Sequence, residues 1–157
     1  MKSSIIPCLW FDHQAEEAAK FYTSIFKNSS IEQISRYGKE GHDVHGQEAG
    51  TVLTVEFKLD GQTFTALNGG PIFKFNEAVS FQIMCENQQE IDYYWNNLTK
   101  DGGSESQCGW LKDKYGVSWQ VVPTELAALM KDPSRSERVM KVLMKMKKLD
   151  IEQLKKA

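Results

Sequence analysis

The side chains that could do chemistry in this sequence are a carboxylate, a thiol and a pair of imidazoles, and spacing decides how far each can be taken. Glu56 lies within Thr51–Leu59, where Leu53, Val55, Phe57 and Leu59 alternate with Val52, Thr54, Glu56 and Lys58. Period two puts one set on each side of a strand, so Glu56 and Lys58 share a face. A carboxylate in an apolar surrounding is a stronger base, fit to take a proton or to anchor a cationic ligand group. The alternative is that Glu56 reaches a sheet edge and water. Cys108, ahead of Gly109-Trp110, is the best-placed thiol. A nucleophile needs a base within hydrogen-bond reach, and no histidine is predictably near it, so a small apolar side chain beside a turn is the competing reading. His42-Asp43-Val44-His45 falls inside Arg36–Gly50, a stretch with four glycines that reads as a polar loop. Two imidazoles there read as a solvated turn rather than a metal site. His13 sits at a strand-to-helix turn and faces solvent. Asp113 reads as the stabiliser of the turn before Gly116.

The elements that must position these groups follow from periodicity. Ile5–Phe11 is an apolar run ending at Asp12, and Ala15, Ala18, Ala19, Tyr22, Ile25 and Phe26 then recur at helical spacing, which predicts strand, turn and helix. The strand over Thr51–Leu59 turns at Asp60-Gly61 into a second strand, Gln62–Asn68, and Gly69-Gly70-Pro71 interrupts regular structure. After Ala78 the plan repeats. Val79–Cys85 is a strand, Gln88–Leu98 a helix stopped by Gly102-Gly103, and Gln107–Asp113 with Val117–Val122 a hairpin. An offset of about 74 residues lays Ile6, Cys8 and Trp10 over Ser80, Gln82 and Met84, and Glu17, Tyr22 and Ile25 over Glu90, Trp95 and Leu98, as a duplicated unit should. Two helices are expected to follow. Thr124 is read as the cap of Glu125–Lys131, and Ser134 to Glu137 as a capping box that opens the second. Val139, Leu143 and Met146 form an apolar stripe on it, and its excess of Lys and Arg reads as a solvated face.

Composition narrows the classes. The chain has 157 residues, 41% of them hydrophobic, enough for one core of ordinary size. Nineteen Lys and Arg against 21 Asp and Glu leave a net charge of −2, which argues for neither nucleic acid nor an anionic membrane as partner. The apolar run near the N-terminus is broken by Pro7 and is too short for a leader or a membrane span, so a cytoplasmic protein is expected. Cys8, Cys85 and Cys108 lie far apart without metal-site or disulfide spacing and are read as reduced thiols.

Four blocks carry a resemblance: Pro7-x-Leu9-Trp10-Phe11-Asp12, Ala15-Glu16-Glu17-Ala18, Phe75-Asn76-Glu77-Ala78-x-Ser80, and Cys108-Gly109-Trp110-x-x-Asp113-x-x-Gly116-x-Ser118-Trp119-Gln120-x-x-Pro123. Together they resemble the PhnB-like family of the vicinal-oxygen-chelate (glyoxalase/bleomycin-resistance/dioxygenase) superfamily, often called demethylubiquinone 3-methyltransferases. The similarity runs from about Ile5 to Pro123, and the tail segment Met146–Ile151 also resembles that family. The resemblance implies an α+β fold of paired βαβββ modules, each curling a mixed sheet around a cavity, commonly in homodimers. The expected organisation is a single domain, 1–157, with a first module over 5–68, a second over 79–123, and C-terminal helices over 124–157. The methyltransferase name gains no support from the residues, because no Gly-rich strand-to-helix turn is present to cradle a nucleotide-like cofactor. No cofactor is expected.

Within that fold Leu9, Phe11, Phe81, Ile83, Val117, Trp119 and Val121 should pack on the helices, and the alternate residues should line the cavity. The positions that resemble the superfamily's metal ligands are Ile6, Thr65 or Leu67, Ser80 and Gln120, and of these only Gln120 could coordinate. One neutral amide makes no site, so no metal is expected. The candidate catalytic residues are then Glu56, Gln120 and Cys108. Trp10, Trp110 and Phe75 are the candidate walls of an apolar pocket, with Asn68 and Gln82 as polar pins. The expected partners are a small, partly flat organic ligand and a second copy of the chain, with no nucleic acid and no membrane. The stripe on the last helix is expected to cover the partner or the seam between modules. The alternatives are a metal-dependent lyase, isomerase or dioxygenase of the same superfamily, and an interaction module working through its C-terminal helix.

Overall fold

A computed structural model describes residues 5–157. The chain divides into two compact units, Met1–Lys74 and Phe75–Ala157. In the first, β1 (Cys8–Phe11) leads into α1 (Ala15–Ile25), followed by β2 (Ser30–Arg36), a one-turn helix α2 (His42–His45), β3 (Val52–Leu59) and β4 (Gln62–Asn68). In the second, β5 (Ser80–Cys85) leads into α3 (Gln88–Leu98), then β6 (Ser104–Glu105), β7 (Trp110–Lys112) and β8 (Ser118–Pro123), with α4 (Leu126–Leu129), α5 (Pro133–Leu143) and α6 (Ile151–Lys156) behind. The sheet orders are β1-β4-β3-β2 and β5-β8-β7-β6, one topology used twice. In each the first strand runs parallel to its neighbour and the rest are antiparallel. These are the paired βαβββ units of the expected α+β fold.

Alternation places the cores. Val55, Phe57 and Leu59 bury against α1, where Ala18, Ala19 and Tyr22 have no exposed surface. Small Ala side chains let the helix approach, and the Tyr22 ring stacks on Phe57 with centroids 6.2 Å apart. In the second unit Ile83, Leu111 and Val121 bury against Ile91, Trp95 and Leu98 of α3. Each such large buried side chain contributes about 1.5–3 kcal/mol relative to exposure. The two helices are 11 residues each and start 73 positions apart, so Tyr22 and Trp95 occupy equivalent places.

Asp60 and Gly61 both have positive φ, 46° and 79°, the geometry of a two-residue turn between twisted strands. Two of the four edge strands, β2 and β6, were not visible in the sequence. β2 buries little on either face, and β6 is two residues long, so neither shows an alternation. The stretch read as a polar loop, Arg36–Gly50, is corrected twice. Arg36 ends β2, and His42–His45 close one helical turn between left-handed Gly41 and Gly46.

The C-terminal helices also differ from expectation at their starts. Thr124 caps nothing: α4 begins after Glu125 with no side-chain cap. α5 begins at Pro133, and the Asp132 carboxylate, not Ser134, accepts the cap hydrogen bond, from the Ser134 N–H at 2.9 Å. Proline belongs at a first helical position because its fixed φ suits the helix and no N–H is needed there. The stripe of Val139, Leu143 and Met146 does not await another surface. It closes with Leu149 and Leu154 into a buried cluster of its own unit, walled by Leu126, Leu129, Met130, Val142 and Cys108. The return of the chain through Leu149 into α6 supplies the apolar partners that the sequence of α5 alone does not show.

That cluster is tied to the second sheet through Met146–Ile151. The backbone N–H groups of Cys108 and Gly109 donate to the carbonyls of Met146 and Lys147, both at 2.8 Å. Gly109 has φ 84°, and a Cβ there would lie 2.9 Å from the Val121 carbonyl and 3.1 Å from Leu149. Glycine is required by both the backbone angle and the close approach.

Candidate functional site

The face of the second sheet opposite α3 gathers polar groups in register. Cα pairing sets Gln82 beside Gln120 and Gln120 beside Trp110, a row across β5, β8 and β7. The alternation that buries Ile83, Trp119 and Val121 toward the helix leaves Gln82 and Gln120 on this side. The Gln82 amide donates to Gln120 Oε1 at 3.3 Å, and Gln120 Nε2 donates to Ser80 Oγ at 2.8 Å. This relay fixes both amides and leaves the Ser80 hydroxyl proton, Gln82 Oε1 and one N–H of each amide for a further partner. The Trp110 side chain closes the row with a half-buried ring. The next row is Ser80, Ser118 and Lys112. Lys112 is ion-paired with Glu77, and that contact pulls the Glu77 carboxyl below its ordinary range. Charge on this face is therefore balanced, and its remaining hydrogen-bonding capacity is neutral. Phe75, half-buried, lies near Gly116 at the turn before β8.

On the first sheet the face opposite α1 carries Cys8, Thr65 and Glu56 in one row and Trp10, Leu67 and Thr54 in the next. Glu56 is exposed, and no hydrogen bond or ion pair ties its carboxylate among the described residues. The Cys8 thiol is pushed above its ordinary pKa by partial burial, which disfavours the thiolate. Trp10 is held rather than free. Its indole N–H donates to the Gly70 carbonyl at 2.8 Å, its ring packs edge-on to Phe73 at 5.0 Å, and a Cβ on Gly69 would sit 2.2 Å from it.

Two other candidates are committed to structural contacts elsewhere. Asn68 is buried, with Oδ1 accepting from the Ala15 N–H at 2.8 Å and Nδ2 donating to the Val52 carbonyl at 3.1 Å, so it caps α1 and ties it to β3. Cys108, with φ 58°, packs against the C-terminal cluster. Tyr37, which sequence reasoning passed over, donates its hydroxyl to the Asn68 carbonyl at 2.6 Å. The only signal for it was an aromatic residue between Arg36 and Gly38.

The three histidines serve local contacts. His45 lies 4.5 Å from the Tyr37 ring and accepts the Gln47 N–H at 3.0 Å through Nδ1. His42 is 3.5 Å from Glu48 and His13 3.4 Å from Asp12. Among the described residues no group of three or more His, Cys, Asp or Glu side chains is placed to hold a metal ion. The Ser80–Gln82–Gln120 set is likewise a poor metal donor set, being neutral and already hydrogen-bonded within itself.

Two βαβββ units, each with a sheet covered by a helix on one face and open on the other, define a protein of the vicinal-oxygen-chelate class, a small-molecule-binding scaffold. Within that class the chain belongs to the PhnB-like family described as 3-demethylubiquinone-9 3-methyltransferase, which matches residues 3–122. Among solved structures, the PhnB protein from Bacillus cereus is 36% identical, with a TM-score of 0.68 over 78% of this chain and 100% of that one. A Pseudomonas aeruginosa protein matches at 18% identity and TM-score 0.61, covering 78% and 98%. The fosfomycin resistance protein FosX from Listeria monocytogenes matches at 14% identity and TM-score 0.56, covering 84% and 99%. The last two share the fold alone. No protein of curated function matches the chain.

The family description implies a methyl donor, and the residues do not fit one. The strand-to-helix turns, Asp12-His13-Gln14 and Glu86-Asn87, contain no glycine. One N–H at each helix start is capped from within the chain, that of Ala15 by Asn68 and that of Glu90 by the Asn87 side chain. Without a glycine-containing turn, neither strand-to-helix junction offers the Gly-rich close approach that this kind of nucleoside binding uses.

Proposed function

We propose that the protein binds an uncharged, partly flat organic molecule on the open face of its second sheet, using neither a metal nor a methyl donor. The observation that carries this is the in-register row Gln82–Gln120–Trp110, with Ser80 completing the relay. Fixed amides offer donors and acceptors at set positions, and the indole offers an apolar plane, the combination that orients small aromatic or carbonyl-bearing ligands. The pairing of Lys112 with Glu77 argues against selection for a charged ligand. The family's scaffold and the free thiols Cys8, Cys85 and Cys108 support a cytoplasmic binding protein. The outer strands β1, β2, β5 and β6, each paired on one side within its sheet, support a homodimer.

The test is native mass spectrometry of protein purified without added ligand or chelator, followed by fluorescence titration with a panel of uncharged aromatic compounds. A co-purifying organic mass, or a quench lost in Trp110→Phe and weakened at least about tenfold in Gln120→Ala, supports the reading. A stoichiometric metal ion, a thermal midpoint that collapses in EDTA, or saturable binding of S-adenosylmethionine would overturn it, because a ligand specific for the native state must stabilise that state.

A further inference from the structure

The relay on the open face of the second sheet has a direction. Each amide donates to the next oxygen along it, Gln82 Nε2 to Gln120 Oε1 at 3.3 Å and Gln120 Nε2 to Ser80 Oγ at 2.8 Å. Because Ser80 Oγ accepts, its hydroxyl proton is left to donate, and accepting from an amide makes it a better donor. Gln82, at the other end, keeps its carbonyl oxygen as an acceptor. The neighbouring polar side chains are committed elsewhere, the Ser118 hydroxyl to the Asn76 carbonyl at 3.4 Å and Lys112 to Glu77. Ser80 and Gln120 are half-buried, whereas Gln82 is exposed. The site thus has a donor at its covered end and an acceptor at its open end. Positions 80 and 82 are alternate residues of β5, about 6.6–6.8 Å apart along the strand, and the Gln120 amide stands between their polar tips.

We infer that the ligand is an aryl ketone or aldehyde with a phenolic hydroxyl para to the carbonyl, the carbonyl oxygen taken by the Ser80 hydroxyl and the phenol donating to Gln82 Oε1. The inference rests on the open-face reading above and supplies its chemical class. One six-membered ring carries an acceptor and a donor at opposite ends at about the separation of the two relay ends. Its carbonyl brings no proton, and Ser80 asks for none. Its hydroxyl both donates to Gln82 Oε1 and can accept the spare Gln82 N–H, so the amide at the open end is matched on both atoms. The Trp110 indole, beside Gln120 in the row, is the apolar wall for the ring. A molecule with acceptors at both ends would set a lone pair against Gln82 Oε1.

Isothermal titration calorimetry of the full chain below pH 7 tests this, with para-hydroxyacetophenone, para-methoxyacetophenone and para-ethylphenol as probes. The wild type should bind the first about three- to tenfold tighter than the second, which lacks the hydroxyl proton, and than the third, which lacks the carbonyl. Ser80→Ala should erase the preference over para-ethylphenol and keep that over the methoxy compound. Gln82→Ala should do the converse. Comparing two probes on one variant cancels any general loosening of the site. Preferences that are absent from the wild type, survive both substitutions, or are exchanged between the two variants overturn the assigned class, and binding that still depends on Trp110 then leaves the open-face site standing. No saturable binding of any uncharged aromatic compound overturns both.

Discussion

Gln88 and Ile151, 63 positions apart, are joined by a hydrogen bond of 3.0 Å from the Ile151 N–H to Gln88 Oε1, and the same amide donates through Nε2 to the Leu149 carbonyl, also at 3.0 Å. One side chain at the start of α3 thus clasps the segment that leads into α6. Asp92, one turn on, pairs with Lys148 at 2.6 Å. The similarity of the Met146–Ile151 segment to the family acquires a physical reason here: its backbone is bound on one side by Cys108 and Gly109 and on the other by Gln88.

Gln88→Ala should therefore loosen the tail more than the sheet. It leaves a part-buried carbonyl and N–H unmatched, a cost of about 1–3 kcal/mol. Hydrogen exchange should accelerate first at Ile151 and Leu154, with the amides of β3 and β4 unchanged. Uniform acceleration along the chain would show that the clasp is not local.

Acid should release the same region. The Glu105 carboxyl is held below its ordinary range, first by the Trp95 indole N–H at 2.9 Å and then by Lys147, and Asp92 is held down by Lys148. Because the folded values are depressed, this stabilisation is complete above the ordinary carboxylate range near pH 4 and is lost as pH falls through the folded values. The urea midpoint should stay level from pH 7 to about pH 5 and drop below about pH 4. Glu105→Gln, which keeps an acceptor for Trp95, should flatten that drop. Parallel profiles for variant and wild type would remove Glu105 from the account.

The strand faces were legible because the sequence alternates where one side is buried: Val55, Phe57 and Leu59 against Glu56 and Lys58, and Trp119 and Val121 against Gln120. The repeat was legible because Tyr22 and Trp95 fill the same place at nearly the same spacing. β2 was not, since an edge strand with two watery faces needs no pattern. Neither was the role of Asn68. A terminal strand residue looks alike as a ligand pin or a helix cap until its neighbours in space are known. The stripe on α5 was read correctly as apolar and wrongly as unpartnered, because Leu149 and Leu154 return to it only after a turn with no periodic signal.

Trp119→Ala and Gln120→Ala should separate stability from binding. Trp119 is buried and its indole donates to the Asp113 carboxylate at 2.8 Å. The same carboxylate accepts from the N–H groups of Tyr115 and Val117. Truncating Trp119 should cost about 3–5 kcal/mol in urea denaturation. Gln120→Ala breaks a relay on the open face and should change the midpoint by less than about 1.5 kcal/mol. A reversed order would mean that the open and covered faces of the second sheet have been exchanged.

The three thiols should differ in reactivity in a way that reports on the fold. Burial, with the Glu90 charge adding to it, pushes the Cys85 thiol up to about 12, so its thiolate is scarce at any pH the folded protein tolerates. Cys8 is exposed on the open face of the first sheet, and burial raises its pKa in the same direction. Cys108 is half-covered by the C-terminal cluster. With a disulfide reagent at pH 8, Cys8 should react first, though more slowly than free cysteine, and its rate should climb as pH is raised beyond 9. Cys108 should follow at a rate that Gln88→Ala increases, since loosening the tail uncovers it. Cys85 should react only on global unfolding, so its labelling rate in urea should match the loss of far-ultraviolet circular dichroism. Single Cys→Ser variants assign each phase. Rapid labelling of Cys85 in native buffer would mean that α3 leaves its sheet far more often than its buried Ile91, Trp95 and Leu98 allow.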